Sequence, residues 1–101
     1  MTDDIRILID PERIAEICRR HRIRRMSLYG SVIRDDFTAD SDVGVLVELD
    51  PEYLPGLEYF GITVDLEALF GRRVDVVRPT ELNRYYKADV LREAVPIYVA
   101  A

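Results

Sequence analysis

A chain of 101 residues with 49% hydrophobic and 33% charged residues has the balance of an ordinary globular domain, which argues against a disordered chain. That length predicts a single domain over residues 1–101, large enough to bury a real core. The formal net charge of -5 argues against a surface that grips duplex nucleic acid through its phosphates, because such surfaces are basic, and no direct DNA binding is expected.

The opening Met1-Thr2-Asp3-Asp4 lacks the basic start and apolar stretch of a signal peptide, and no apolar run is long enough to span a bilayer. A cytoplasmic protein with no membrane contact is expected. Asp10-Pro11-Glu12 resembles a helix start, with Asp as N-cap and Pro in the first turn. Ile14, Ile17 and Cys18 then recur at helical spacing and predict a helix to about His21. Cys18, the only cysteine, can form neither an intrachain disulfide nor a thiolate metal cluster and is expected in the core. The basic run from Arg19 to Arg25 fits either a solvated helix end, where cations favour the C-terminus, or a surface for an acidic partner or nucleic acid.

Met26-Ser27-Leu28-Tyr29 alternates and predicts a short strand that stops at Gly30-Ser31, with a short helix over residues 31–35. A polar loop over 37–41 leads to Val43–Leu49, the strongest strand signal, which Asp50-Pro51 ends. Residues 57–70 predict a helix with Leu57, Phe60, Val64 and Ala68 on one face and Gly71 as its stop. Val74–Val77 predicts a third strand. Residues 80–94 predict a helix with Leu82, Tyr86, Val90 and Leu91 inward, and 97–99 a short final strand. This order predicts a small mixed α/β (α+β) architecture, one sheet with helices packed on it.

Three places carry unusual residues. Gly30-Ser31 follows a strand and opens a helix, where free amides and the helix dipole suit a phosphate, although a tight turn with Ser31 as cap would look the same. Asp42 stands at the mouth of the strongest strand, and position 44 shares its face by strand alternation. Two carboxylates at that spacing could share a hard cation such as magnesium, but residue 44 is Gly, which packs nothing in a strand. Asp75 interrupts the apolar Val74-Val76-Val77. It either faces the same cavity as Asp42 or lies in water on an edge strand.

Together, Gly30-Ser31, the loop ending in Ser41-Asp42-Val43-Gly44 and Val74-Asp75-Val76-Val77 resemble the signature of the minimal nucleotidyltransferases (MNT) of the DNA polymerase beta-like superfamily. That group includes the MntA-type antitoxins of HEPN/MNT toxin–antitoxin pairs. The resemblance implies the nucleotidyltransferase fold. It implies that Gly30 and Ser31 hold the β- and γ-phosphates of ATP, and that Asp42 and Asp75 are catalytic and ligate two Mg2+ ions. Asp75 would also accept the acceptor's proton. Arg34 would steady the triphosphate, or pair with Asp35 or Asp36. The implied reaction is transfer of AMP from ATP to a HEPN-type ribonuclease toxin. The chain departs from the pattern at Gly44, which replaces the second Asp of the Asp-x-Asp pair. Impaired catalysis is therefore expected, and an inactive nucleotide- or toxin-binding module that neutralises its partner by contact is the alternative. An aspartate restored at 44 is expected to point at the same metals as Asp42.

Overall fold

The computed structural model describes residues 7–101; the Met1–Asp4 segment read above lies outside them. Helix α1 spans Pro11–Arg20, and the Asp10 side chain accepts from the Glu12 and Arg13 amides at its start. Ile14, Ile17 and Cys18 form its buried face, as their spacing predicts. Strand β1 spans Ile23–Tyr29, longer than the sequence suggests. The basic run is thus divided. Arg19 and Arg20 close α1, Arg22 turns the chain at φ 56°, and Arg24 and Arg25 lie exposed on β1.

Strand β2 spans Val43–Leu49, helix α2 Phe60–Phe70, strand β3 Val74–Val77, helix α3 Lys87–Glu93 and strand β4 Val95–Val99. The sheet order is β3-β2-β1-β4. β2 and β3 run parallel, whereas β1 is antiparallel to both β2 and β4. Alternation divides the sheet into two faces. Met26, Leu28, Val43, Val45, Val47 and Val74 point into the core, against Ile14, Ile17, Cys18, Ile62 and Leu66 of α1 and α2. Tyr29, Asp42, Gly44 and Asp75 belong to the opposite face.

Three predicted elements differ. The helix expected over 31–35 is a 3-10 turn, Gly30–Ile33. The helix expected over 57–70 begins as a 3-10 turn at Leu57–Tyr59, and α2 buries Ile62 and Leu66 instead of the predicted row. Leu57, Phe60 and Val64 are exposed. α2 is apolar around most of its circumference, so periodicity could not choose its face. Tertiary contacts choose it, through Asp65, which accepts from Arg20 at 2.9 Å and meets His21 Nε2 at 2.7 Å. The helix expected over 80–94 is split. Pro79–Glu81 forms a 3-10 turn, Leu82 is extended, and Asn83 Oδ1 accepts from the Tyr85 amide at 2.9 Å. That local bond competes with helix formation, so α3 starts only at Lys87, and Leu82, Tyr86, Val90 and Leu91 are not buried. Among the described residues no helix is long and apolar enough to cross a membrane.

Candidate functional site

β1 ends at Tyr29 and passes into Gly30, whose φ of 84° lies in the left-handed region that a side chain disfavours. The turn after it buries Val32 and leaves Ser31 half-buried. The Arg34 amide donates to the Ser31 carbonyl at 2.9 Å. Arg34 Nε lies 3.5 Å from Asp36 Oδ1, so one of the two pairings left open by the sequence is made.

The loop before β2 is tied down locally. The Thr38 amide donates to Ser41 Oγ at 2.9 Å. Arg72 donates to the carbonyls of Thr38 and Ser41, each at 3.1 Å, and its guanidinium stacks 4.5 Å from the Phe37 ring centroid. Asp42 follows directly, with Oδ1 3.6 Å from Arg73 Nε. A hollow of about 520 Å³ opens here, lined by Ala39, Asp40, Ser41, Asp42, Arg72 and Arg73.

Asp75 pairs in register with Gly44, and Gly44 with Tyr29, so the three form one row across three strands. β3 is an edge strand and Asp75 is exposed, the second of the two sequence readings, yet its carboxylate has a partner. The Tyr29 hydroxyl donates to Asp75 Oδ2 at 3.2 Å. To reach it, the Tyr29 ring crosses Gly44. A Cβ at position 44 would stand 2.9 Å from Tyr29 Cε1 and Cζ and 2.7 Å from the Tyr29 carbonyl oxygen. The glycine that packs nothing in the sequence is therefore covered by an aromatic ring, which needs that close approach. Burial, then the Asp75 charge and hydrogen bond, push the Tyr29 phenol well above its ordinary value. Tyr29 stays protonated and remains a donor at neutral pH.

The structure brings Asp42, Gly44 and Asp75 to one face and places Gly30-Ser31 at the end of the strand beside Gly44. Sequence reading missed Tyr29, Arg72 and Arg73. The available signals were an aromatic directly before Gly-Ser, and paired arginines entering the strand beside Asp42. A two-magnesium centre needs converging hard oxygen ligands. Here Asp42 faces a guanidinium, Asp75 accepts a phenol, and the position between them carries a ring. Among the described residues no three His, Cys, Asp or Glu side chains group as a metal site. The residues present do not fit the two-magnesium centre that the resemblance implies. An aspartate at 44 would require Tyr29 to shift, a condition that the sequence does not reveal.

Residues 12–100 match the family described as Polymerase beta, Nucleotidyltransferase, whose members generally use divalent metals. Protein adenylyltransferase MntA of Thermococcus cleftensis is 37% identical over 81 residues, covering 79% of this chain and 80% of that protein. A candidate protein adenylyltransferase of Methanocaldococcus jannaschii is 31% identical over 85 residues, covering 84% of this chain and 90% of its own. A solved structure of a candidate minimal nucleotidyltransferase has a TM-score of 0.71 at 35% identity, covering 85% of this chain and 87% of that one. A toxin–antitoxin crystal structure with AMP-PNP gives a TM-score of 0.70 at 16% identity, covering 91% of this chain and 75% of that one, a likeness of fold alone. With nearly the whole chain matched and the fold shared, this protein belongs to the Polymerase beta nucleotidyltransferase family.

Proposed function

We propose that this chain, as one domain over residues 1–101, is a cytoplasmic antitoxin of the minimal nucleotidyltransferase kind that neutralises a HEPN-type ribonuclease toxin by contact. The observation that carries the reading is the Tyr29 ring across Gly44. It stands where a second carboxylate would project, and its hydroxyl donates to one oxygen of Asp75. The antitoxin part is supported by the relative named MntA and by the fold shared with a toxin–antitoxin structure.

ATP binding is part of the same reading. Gly30 and Ser31 would take the β- and γ-phosphates through the amides of the turn and the Ser31 hydroxyl, as free N–H groups at such turns favour anions. Arg34 adds positive charge at the rim. Asp42 and Asp75 would be the two carboxylates of the family pattern left near a Mg2+ ion carried in on the nucleotide, short of the two-ion centre.

A second reading, AMP transfer from ATP to the toxin at a reduced rate, is favoured by the relatives named protein adenylyltransferase. Loss of several kcal/mol of transition-state stabilisation slows such a reaction by about a thousandfold or more. The two readings separate when the purified chain is incubated with its HEPN-type partner, ATP and Mg2+. RNA cleavage and the intact mass of the toxin are read together. Inhibition at one-to-one stoichiometry with an unchanged toxin mass is expected. Inhibition that appears only as the toxin gains the mass of AMP would replace the contact reading with the second.

A further inference from the structure

The row that the sequence assigned to the core of α2 is on the surface. Leu57 is 83% exposed, Phe60 66% and Val64 65%, and Leu54, one step earlier, is 90% exposed. Spacings of three and four residues align Leu57, Phe60 and Val64 along α2 and the 3-10 turn before it, and Leu54 lies in the irregular stretch that leads into that turn. Single exposed apolar residues are ordinary, but a contiguous row marks an interaction surface.

The segment that carries the row is itself acidic, although Arg22 and Arg78 reach it from neighbouring elements by stacking on Tyr53 and Tyr59. From Asp50 to Phe70 the chain carries Asp50, Glu52, Glu58, Asp65 and Glu67 and no Lys or Arg. Asp65 is compensated by Arg20 at 2.9 Å. Asp50, Glu58 and Glu67 accept from neutral donors, the Glu52 amide, the Tyr53 hydroxyl and the Val74 amide. Backbone hydrogen bonds, its own and that of Gly56, hold the Glu58 carboxyl below its ordinary value. A second copy of this chain would bring these like charges together. A surface with an apolar centre and a basic rim is complementary to them.

We infer that the Leu54–Leu57–Phe60–Val64 row and its acidic flank dock the basic, RNA-binding face of the partner ribonuclease. This rests on the contact reading above and says how contact neutralises. A nuclease must present Lys and Arg to the phosphates of its substrate, and an acidic, apolar cover on that face excludes RNA without any chemistry at the nucleotide site.

The test uses the full chain co-expressed with its HEPN-type partner. Phe60→Arg/Val64→Arg is expected to weaken the complex by at least about thirtyfold, the loss typical of a central apolar anchor, and to restore RNA cleavage. Both positions are exposed, so circular dichroism should be unchanged. Glu52→Lys/Glu58→Lys is expected to weaken binding and flatten its salt dependence. Leu8→Ser, 95% exposed and outside the row, is expected to bind as the parent does. Hydrogen exchange on the unmutated complex, which needs no variant to fold, should show protection over residues 54–68. Unchanged affinity of the arginine variant, or protection that avoids this segment, overturns the inference while the contact reading stands. A dimer of the chain alone that the arginine variant abolishes also overturns it, in favour of a second copy. If the parent chain forms no complex with the toxin, both fall together.

Discussion

The Tyr29 hydroxyl donates to Asp75 Oδ2 at 3.2 Å, and the ring that carries it lies over Gly44. Residues 29, 44 and 75 are therefore one unit. Gly44→Ala should destabilise the fold by about 1–3 kcal/mol, the usual penalty for overpacking. In a Tyr29→Ala background that penalty should shrink, because the ring contacts at 2.9 Å are gone. It should not vanish, because the Tyr29 carbonyl remains 2.7 Å from the new Cβ. Urea denaturation of the four proteins of the cycle measures the coupling. Gly44→Asp alone should bring no gain in AMP transfer. Equal penalties in both backgrounds would show that the ring is not the obstacle.

Much of this architecture is legible in the sequence, for identifiable reasons. Asp10-Pro11 announces α1, and Val43, Val45 and Val47 place β2 with its core face, because capping and strand alternation are local properties. Asp42 and Asp75 stand out because a carboxylate beside buried valines is costly. The inward face of α2 is not legible, since Leu57, Phe60 and Val64 are as apolar as Ile62 and Leu66. The role of Tyr29 is hidden for another reason. It depends on the register Tyr29–Gly44–Asp75, which joins residues 46 positions apart and which no local pattern encodes.

Arg72 links the loop before Asp42 to the segment that enters β3, with two donated bonds at 3.1 Å and a stack on Phe37. Arg72→Ala should cost about 1–3 kcal/mol, the range for charge-assisted bonds joined to a cation–π contact. Arg72→Lys should recover less than half of it, because an ammonium cannot reproduce the planar fork. Exchange of the amides over residues 37–41 should speed up in both variants. Full rescue by lysine would leave only a point charge as the cause.

Cys18 is fully buried, and burial outweighs the nearby Arg19 charge to push its thiol up to about 12. Only the thiolate reacts quickly with disulfide reagents. Native protein at neutral pH should therefore be labelled no faster than it unfolds, and denatured protein at once. Ellman's reagent in water and in urea makes the comparison. Rapid labelling of the native chain would contradict the burial that the α1 face implies.

Asp65 joins α2 to the end of α1. Its carboxyl is held below the ordinary aspartate value of 3.8 by the His21 hydrogen bond first and by Arg20 after it. A carboxyl depressed in the folded state adds stability above its unfolded pKa, and that stability is lost as pH falls through the lower folded value. The window is therefore below about pH 4. Asp65→Asn should melt below the parent at pH 6 to 7, and the two melting temperatures should converge as the pH drops through that window. Other carboxylates titrate in the same range, so the difference between the two proteins carries the information. The order of causes makes a finer statement. His21→Ala should remove more of the dependence on Asp65 than Arg20→Ala does, because the His21 ring is nearer, at 2.7 Å, and less exposed. Melting curves that run parallel from pH 7 to pH 2 would mean that the pair at this helix junction contributes nothing to holding α2, with its exposed row outward, against the core.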